Sequence, residues 1–198
     1  MFYRPEAGHG LPLNPLNAIV APRPIGWIST RGRMGDNLAP YSFFNLTAYA
    51  PPQVMFASTS AKRDRPGSKD SVAQIAESRV FCVNIADGRM RAQVNTTSAA
   101  LPAGESEFLA AGIEAAECLT IDCPRVAQAA AALECRMTRV LRLAGAANVM
   151  VLGVVTGIHL REDCLADGRF DLRPHGWLAR MGYKDYTITT ETFEMERP

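Results

Sequence analysis

The sequence predicts a mainly β protein: a closed antiparallel β-barrel with a few short helices, in one domain that spans residues 1–198. Three observations lead to this fold class. Short runs rich in β-branched and aromatic residues recur along the chain, with glycines and prolines between them. Helical patterns are few, so the strand–helix alternation of a doubly wound sheet is missing. A length of 198 residues fits one domain with its own core.

Strand-like runs fill the N-terminal half of the chain. They are Ala18–Val20, Ile25–Ser29, Asn37–Asn45, Val54–Ser58 and Val80–Ile85. The glycines at positions 32 and 35 predict a turn that closes a hairpin between the second and third of these runs. Since a proline at position 40 would interrupt a central strand, we expect the third run to lie at a sheet edge or a bulge.

Two longer strands are predicted in the C-terminal half. In Leu133–Leu143, apolar side chains alternate with polar ones such as Glu134, which is typical of a half-solvated antiparallel strand. Gly145–Asn148 can turn the chain into Val149–His159. That run is apolar at both its odd and its even positions, so both faces of the strand would be buried and we expect a central strand.

Three short helices are predicted, over Ser71–Ser78, Met90–Thr97 and Glu105–Ala111. The first has a capping box, in which Ser71 is the N-cap and Gln74 lies three residues further on. A helix N-terminus carries partial positive charge and unpaired N–H groups, so this helix start suits a phosphate.

The bulk composition argues against several classes of function. The net charge is +1 with no basic or acidic block, so we expect neither a nucleic-acid partner nor a polybasic membrane patch. No apolar run reaches the roughly 20 residues of a membrane helix. The N-terminus MFYRPEAGHG lacks the apolar core of a signal peptide, so we expect a cytoplasmic protein. The five cysteines form no C-x-x-C pair, which favours reduced, apolar side chains.

Residue types that carry acid–base or metal chemistry do not cluster in the sequence. His9, His159 and His175 are scattered, which argues against a bound metal, and His159 in its apolar strand is expected to be structural. Neither G-x-G-x-x-G nor G-x-S-x-G occurs, so a Rossmann site and a serine hydrolase are disfavoured. We therefore assign no catalytic residue.

Two strand segments place polar side chains beside aromatic rings. Trp27 precedes Ser29 and Thr30, whose hydroxyls can donate to a ligand, although a strand end with its own turn hydrogen bonds would have the same sequence. The second segment combines rings, a hydroxyl and an amide in Tyr41, Ser42, Phe43, Phe44 and Asn45. A flat heterocycle needs such an apolar wall with a few donors and acceptors. A core strand with buried aromatics is the alternative.

A hydroxyl-rich and basic segment leads into the first helix. It contains Ser58, Thr59, Ser60, Lys69, Asp70 and Ser71. Lys69 adds a full charge and Ser71 a donor to the helix start, whereas Asp70 would oppose an anion unless it caps the helix or pairs with a base. A solvated basic loop with an ordinary helix cap would also fit. Near the C-terminus, Arg180 and two tyrosines among glycines give a weaker signal.

Taken in order, these segments resemble the flavin reductase-like family, which includes flavoredoxin-like proteins and NAD(P)H:flavin oxidoreductases. The matching segments are RPIGWIST, NLAPYSFFN, PPQVMFAS, KDSVAQI and FCVNI, followed by GESEFLAAGI, ALECRM, VMVLGVV and LARMGYKDY. The resemblance covers roughly Leu16 to Phe193. The order of the segments is far more specific than any single one.

The resemblance implies an FMN-binding split β-barrel of the Greek-key type and a homodimer with flavin at or near the subunit interface. Ser29 and Thr30 would then face the ribityl chain or ring edge, and Tyr41–Asn45 would line the isoalloxazine largely through the backbone. The phosphate would be held by Ser58, Ser60, Lys69 and Ser71, and Arg180 would reach the flavin from the C-terminal segment. The family often has R-x-G-G before the tyrosine, but here Tyr183 directly follows Gly182, at the expected mouth of the pocket.

The implied activity is FMN-dependent oxidoreduction, in which a hydride passes from NADH or NADPH to flavin N5. A monooxygenase or another protein would accept the electrons. FMN fits better than FAD, because a lysine beside a helix start suits one terminal phosphate. Two alternatives stay open: a flavoredoxin-like electron carrier without nicotinamide activity, and a non-redox flavin-binding module.

Overall fold

The computed structural model describes residues 1–59, 69–102 and 105–196. Strands dominate these residues. They are β1 (Arg23–Pro24), β2 (Gly26–Gly32), β3 (Gly35–Tyr41), β4 (Phe44–Tyr49), β5 (Pro52–Ser58), β6 (Val80–Ile85), β7 (Ala115–Glu117), β8 (Pro124–Val126), β9 (Ala131–Arg142), β10 (Val149–Leu160), β11 (Leu165–Ala166), β12 (Arg169–Phe170), β13 (Trp177–Arg180) and β14 (Tyr186–Thr189). The α-helices are α1 (Leu16–Ile19), α2 (Asp70–Ser78), α3 (Arg91–Thr96) and α4 (Glu107–Ala110).

Seven antiparallel strands form the main sheet, in the order β3-β2-β6-β9-β10-β5-β4. The prediction of a mainly β protein with a few short helices is confirmed, and Val149–His159 is the expected central strand, since β10 lies between β9 and β5. The predicted closed barrel is wrong. β3 and β4 are the two edges, and no ladder within the described residues joins them. Pro40 in β3 has no backbone N–H to donate to such a ladder.

Two other predicted strands need correction. Ala18–Val20 is not a strand but overlaps α1, because the backbone N–H groups of Ala18 and Ile19 both donate to the carbonyl of Pro15 in a helical turn. Asn37–Asn45 is not continuous, since β3 ends at Tyr41 and β4 begins at Phe44.

The capping box predicted at the first main helix is also wrong. α2 begins at Asp70, one residue earlier than predicted, and its N-cap is Lys69, without a side-chain capping bond. Gln74 is buried, and its side chain accepts a hydrogen bond from Thr30 and donates one to the carbonyl of Gly35. Because Gln74 ties α2 to the β2–β3 hairpin, it cannot reach back to the helix start.

β2 is buried on both faces. Ile28 packs with Phe56 in one apolar cluster, and Trp27 packs with Leu38 in a second cluster on the opposite face. All five cysteines are free, as predicted. Within the described part of the chain, no helix is long and apolar enough to cross a bilayer.

Glu134, which the alternation of β9 placed on the solvated side, is fully buried. β9 and β10 change register between Val155 and Gly157, next to this residue. The carboxylate accepts hydrogen bonds from the backbone N–H groups of Leu119 and Thr120, at 2.7 and 2.6 Å, and contacts the ring of His159 at 2.5 Å. Burial alone would raise the pKa of Glu134, but a hydrogen bond from the Thr120 hydroxyl, together with these bonds, lowers it to about 2. His159 is thus structural, as expected.

We predict that Glu134→Gln lowers the free energy of unfolding by about 2–3 kcal/mol at pH 7, because the surrounding donors favour the charged carboxylate. The folded-state pKa lies below the unfolded value of about 4.3, so this stabilisation is complete above that value and is lost as the pH falls toward about 2. Urea unfolding at several pH values measures the difference between variant and wild type. Glu191→Gln, at an exposed position, is the matched control. A difference that does not shrink on acidification would contradict the assignment.

Candidate functional site

The two edges of the main sheet meet at residues 42–43, where β3 ends and β4 begins. Tyr41 pairs with Gly26 of β2, and Phe44 pairs with β5, so the chain passes here from one edge of the sheet to the other. The carbonyl of Phe43 accepts a hydrogen bond from the N–H of Ala57 at 2.7 Å. A Cβ on Gly26 would lie 2.8 Å from the ring of Phe44, so glycine is needed where the edges approach each other.

Two adjoining clefts open at this junction, with volumes of about 220 Å³ for the first and about 330 Å³ for the second. The first cleft is lined by Asn17, Arg23, Pro40, Tyr41, Ser42, Phe43, Ala57, Ser58, Thr59, Lys69, Arg180 and Tyr183. The second cleft is lined by Ile25, Pro40, Ser42, Asn95, Ser98, Arg180, Lys184 and Tyr186. Because Pro40, Ser42 and Arg180 line both, the two clefts adjoin along these residues.

The described lining of both clefts contains cationic side chains and no carboxylate. The cations are Arg23, Lys69, Arg180 and Lys184. Three of them lie over aromatic rings, with charge-to-centroid distances of 5.8 Å for Arg23 on Phe43, 5.2 Å for Lys69 on Tyr41 and 4.4 Å for Arg180 on Tyr186. For Arg23 and Arg180, the cation–π contact orients the charge without neutralising it. The clefts therefore keep a positive potential, which suits an anionic ligand.

Arg23 is the most deeply buried of these cations, with 7% of its surface exposed. Its guanidinium donates to the backbone carbonyls of Asn17, Val20 and Met181. The Nε atom is buried and has no hydrogen-bond partner among residues 1–59, 69–102 and 105–196. Burial, together with the charge of Arg180, lowers the pKa of Arg23. Since carbonyl oxygens carry only partial charge, an anion in the cleft would relieve this repulsion.

Two hydroxyl groups at the first cleft, Tyr41 Oη and Ser58 Oγ, are buried and form no well-aligned hydrogen bond with a described residue, although Ser58 and Ser71 lie near the phenol. Burial raises the pKa of Tyr41 to about 12, so its phenol stays protonated and can donate at neutral pH. A buried polar group without a partner costs about 1–3 kcal/mol. Both residues also line the cleft, so a ligand with acceptor atoms would satisfy them.

About half of the predicted site residues meet at the first cleft. They are Tyr41, Ser42, Phe43, Ser58, Thr59, Lys69 and Arg180. These residues come from β3, the β3–β4 junction, β5, the start of α2 and β13, so segments far apart in the sequence converge here. Ser60 lies outside the described residues, and its predicted role stays a prediction.

The hydroxyl pair predicted to face a ligand lies in the interior instead. Ser29 and Thr30 are fully buried, and they donate to a backbone carbonyl at 2.6 Å and to the side chain of Gln74 at 2.5 Å. Trp27 is also fully buried and donates its indole N–H to Thr97 at 2.9 Å. Satisfied core hydrogen bonds thus account for these three side chains, and none of them lines either cleft.

Four more predicted residues are absent from the lining of both clefts. Phe44 belongs to the core, Asn45 is exposed on β4, and Asp70 begins α2. Ser71 is buried and accepts a hydrogen bond from the side-chain amide of Asn37 at 2.9 Å.

Several lining residues were not predicted. In the first cleft they are Asn17 and Arg23, and in the second Asn95, Ser98, Lys184 and Tyr186, whereas Tyr183 lines the first cleft after being expected at the pocket mouth. Arg23 opens the segment RPIGWIST, and three of the others lie in the C-terminal segment with Arg180. Two signals in the sequence could have identified these lining residues. One is the basic residue Arg23 between two prolines, and the other is the cluster of basic and aromatic residues around Arg180.

A separate group of polar side chains lies away from the clefts. Asp163, Cys164 and His175 bring potential ligand atoms within 4.8 Å of one another. Arg161 donates to the Sγ atom of Cys164 at 3.2 Å and also to the carboxylate of Asp163. A guanidinium in this position repels a metal cation. We assign no metal here, and the expectation of no bound metal stays a prediction.

Comparisons with known proteins match this chain over most of its length. The flavin reductase like domain matches residues 20–178. A protein of Deinococcus radiodurans is 38% identical over 191 residues, which cover 92% of this chain and 82% of that protein. The structure resembles nitrilotriacetate monooxygenase component B from Bacillus cereus with a TM-score of 0.84 and 28% identity, covering 95% of this chain and 100% of that one.

Two further structures have the same fold. The 2-nitrobenzoate 2-nitroreductase of Pseudomonas fluorescens has a TM-score of 0.79 and 26% identity, covering 92% of this chain and 88% of that one. Flavoredoxin of Desulfovibrio vulgaris has a TM-score of 0.77 and covers 89% of this chain and 91% of that one, but at 16% identity it shows the fold alone. The extent of the domain match, together with these relatives, confirms the resemblance seen in the sequence: the chain belongs to the flavin reductase-like family.

Proposed function

We propose that this protein is an FMN-binding oxidoreductase that uses NADH or NADPH to reduce the flavin. The observation that carries the proposal is the first cleft, where cationic side chains meet two buried hydroxyls at an open sheet edge and no carboxylate is among the described lining residues. A flavin mononucleotide combines a phosphate, a hydroxylated chain and a flat ring. The cleft offers charges, donors and aromatic surface to match.

The residues present fit the cofactor at both of its ends. Ser58 and Lys69 are the proposed phosphate ligands, because a hydroxyl donor and an ammonium group line the same cleft. Tyr41, Ser42 and Phe43 are proposed to line the ring, through their backbone at the sheet edge and through the exposed ring of Phe43. The proposed role of Ser29 and Thr30 has no support from their buried side chains.

FMN, when bound, supplies the hydride chemistry at N5, and the protein supplies binding, orientation and electrostatics. Arg180 lines both clefts and is held on the ring of Tyr186, so it is placed to stabilise negative charge on a ligand in either one. No proton-transfer residue is assigned. The second cleft is the proposed entry for the nicotinamide donor, because it adjoins the first and adds the charge of Lys184.

A homodimer is part of this proposal. Large apolar side chains on the sheet are exposed at Leu46, Leu141, Ile158 and Leu160, with exposed fractions of 46%, 37%, 58% and 45%. Such surface on β4, β9 and β10 is typical of a subunit interface. The similarity to nitrilotriacetate monooxygenase component B supports a partner monooxygenase that receives the reduced flavin.

Anaerobic reduction tests the proposed activity. The purified protein with FMN is mixed with NADH and, separately, with NADPH, and we expect the flavin absorbance near 450 nm to fall rapidly with at least one donor, whereas free FMN serves as the control. No loss with either donor, but reduction by a protein donor, would instead indicate an electron carrier. Flavin that binds but is reduced by neither route would indicate a non-redox module.

A pair of adjacent phenylalanines tests the location of the ring. Phe43 is 37% exposed at the cleft, whereas Phe44 is 9% exposed in the core. We predict that Phe43→Ala weakens FMN binding with little change in stability, and that Phe44→Ala lowers the free energy of unfolding by about 3–5 kcal/mol. Fluorescence titration and urea unfolding measure the two effects. Unchanged FMN affinity in the Phe43 variant would remove this residue from the site.

A further inference from the structure

Three non-glycine residues in the described part of the chain have a left-handed backbone conformation: Arg79, Asp167 and Tyr183, with φ of 67°, 51° and 53°. Arg79 ends α2, where a left-handed residue commonly closes the last turn. Asp167 lies in the turn between β11 and β12, and its short polar side chain tolerates this conformation. Tyr183 carries a bulky ring at a turn position that glycine would occupy without strain.

The β13–β14 turn that carries Tyr183 is fixed on several sides. Arg23 donates to the carbonyl of Met181 at 2.9 Å, and Arg180 donates to the carbonyl of Tyr183. A Cβ on Gly182 would lie 2.5 Å from a side chain of α1, so the turn packs closely there. These contacts hold the turn through its backbone, and any residue at position 183 would supply the same carbonyl.

The side chain of Tyr183 has no matching structural role. It is 43% exposed, it forms no hydrogen bond with a described residue, and it belongs to no core cluster. It does line the first cleft, together with Lys69 and Tyr41. A tyrosine with a left-handed backbone and an exposed surface that lines a cleft is best explained by a contact with a ligand.

We propose that Tyr183 determines the affinity of the first cleft for flavin, by packing its ring against the flat part of the bound cofactor. This inference rests on the proposed function. Stacking of an aromatic side chain on a heterocycle stabilises binding without a hydrogen bond. The backbone strain then persists because the ring is needed in the liganded protein, even though glycine would suit the free protein better.

The test compares three variants of the full chain with the wild type. Tyr183→Gly removes the ring and relieves the backbone, and Tyr183→Phe keeps the ring without its hydroxyl. Asp167→Gly relieves a left-handed residue that does not line either cleft, so it is the matched control. FMN affinity is measured by fluorescence titration, and the melting temperature of the flavin-free protein is measured separately.

We expect Tyr183→Gly to raise the dissociation constant for FMN about tenfold or more, with an equal or higher melting temperature of the flavin-free protein. The dissociation constants of Tyr183→Phe and Asp167→Gly should stay near that of the wild type. Wild-type affinity in Tyr183→Gly, or a melting temperature several degrees lower without flavin, would overturn the inference while leaving the proposed function intact. A wild-type protein that does not bind FMN would overturn both.

Discussion

β3 and β4 are not paired with each other within the described residues, and the candidate site depends on this open seam between them. These strands are the two edges of a seven-stranded sheet, and only residues 42–43 connect them. Pro40 has no N–H to offer a neighbouring strand, so the seam cannot close into a regular ladder at that position. Edge strands normally invite pairing with another chain. Here the end of β3 lines the two clefts, together with side chains from other elements.

Those side chains give the seam a positive charge. Arg23, Lys69 and Arg180 converge on the first cleft, although the whole chain is almost neutral with a net charge of +1. The contacts of Arg23 and Arg180 with aromatic rings and backbone carbonyls fix these two charges in place but do not cancel them. Like charges held together destabilise the free protein. The same arrangement is preorganised for an anion, because the ligand replaces repulsion with charge-assisted hydrogen bonds.

Local sequence patterns predict much of the fold but only part of the candidate site. Local patterns located strands such as β6 and β10, because hydrophobic parity and turn residues lie close together in the chain. Lys69 and Ser58, whose chemistry is visible locally, line the first cleft, and their predicted role as phosphate ligands stays a prediction. Ser29 and Thr30 lie in the interior, since a strand segment does not reveal whether its hydroxyls meet a ligand or core partners. A register shift between strands also changes which side chains are buried, in a way that local alternation does not predict. Glu134 is buried beside such a shift. Arg23 and Tyr183 both line the first cleft because β1 pairs with β13, and no local pattern predicts this pairing.

The most direct test of a positively charged flavin cleft is to compare the affinities of the protein for FMN and riboflavin, which differ only in the phosphate. Fluorescence titration of the flavin-free protein at low and high salt gives both dissociation constants. Charge-assisted contacts of about 1.5–3 kcal/mol predict that FMN binds roughly 10- to 150-fold more tightly than riboflavin, with a gap that narrows as salt is added. Equal affinity for the two flavins at low salt would contradict the account.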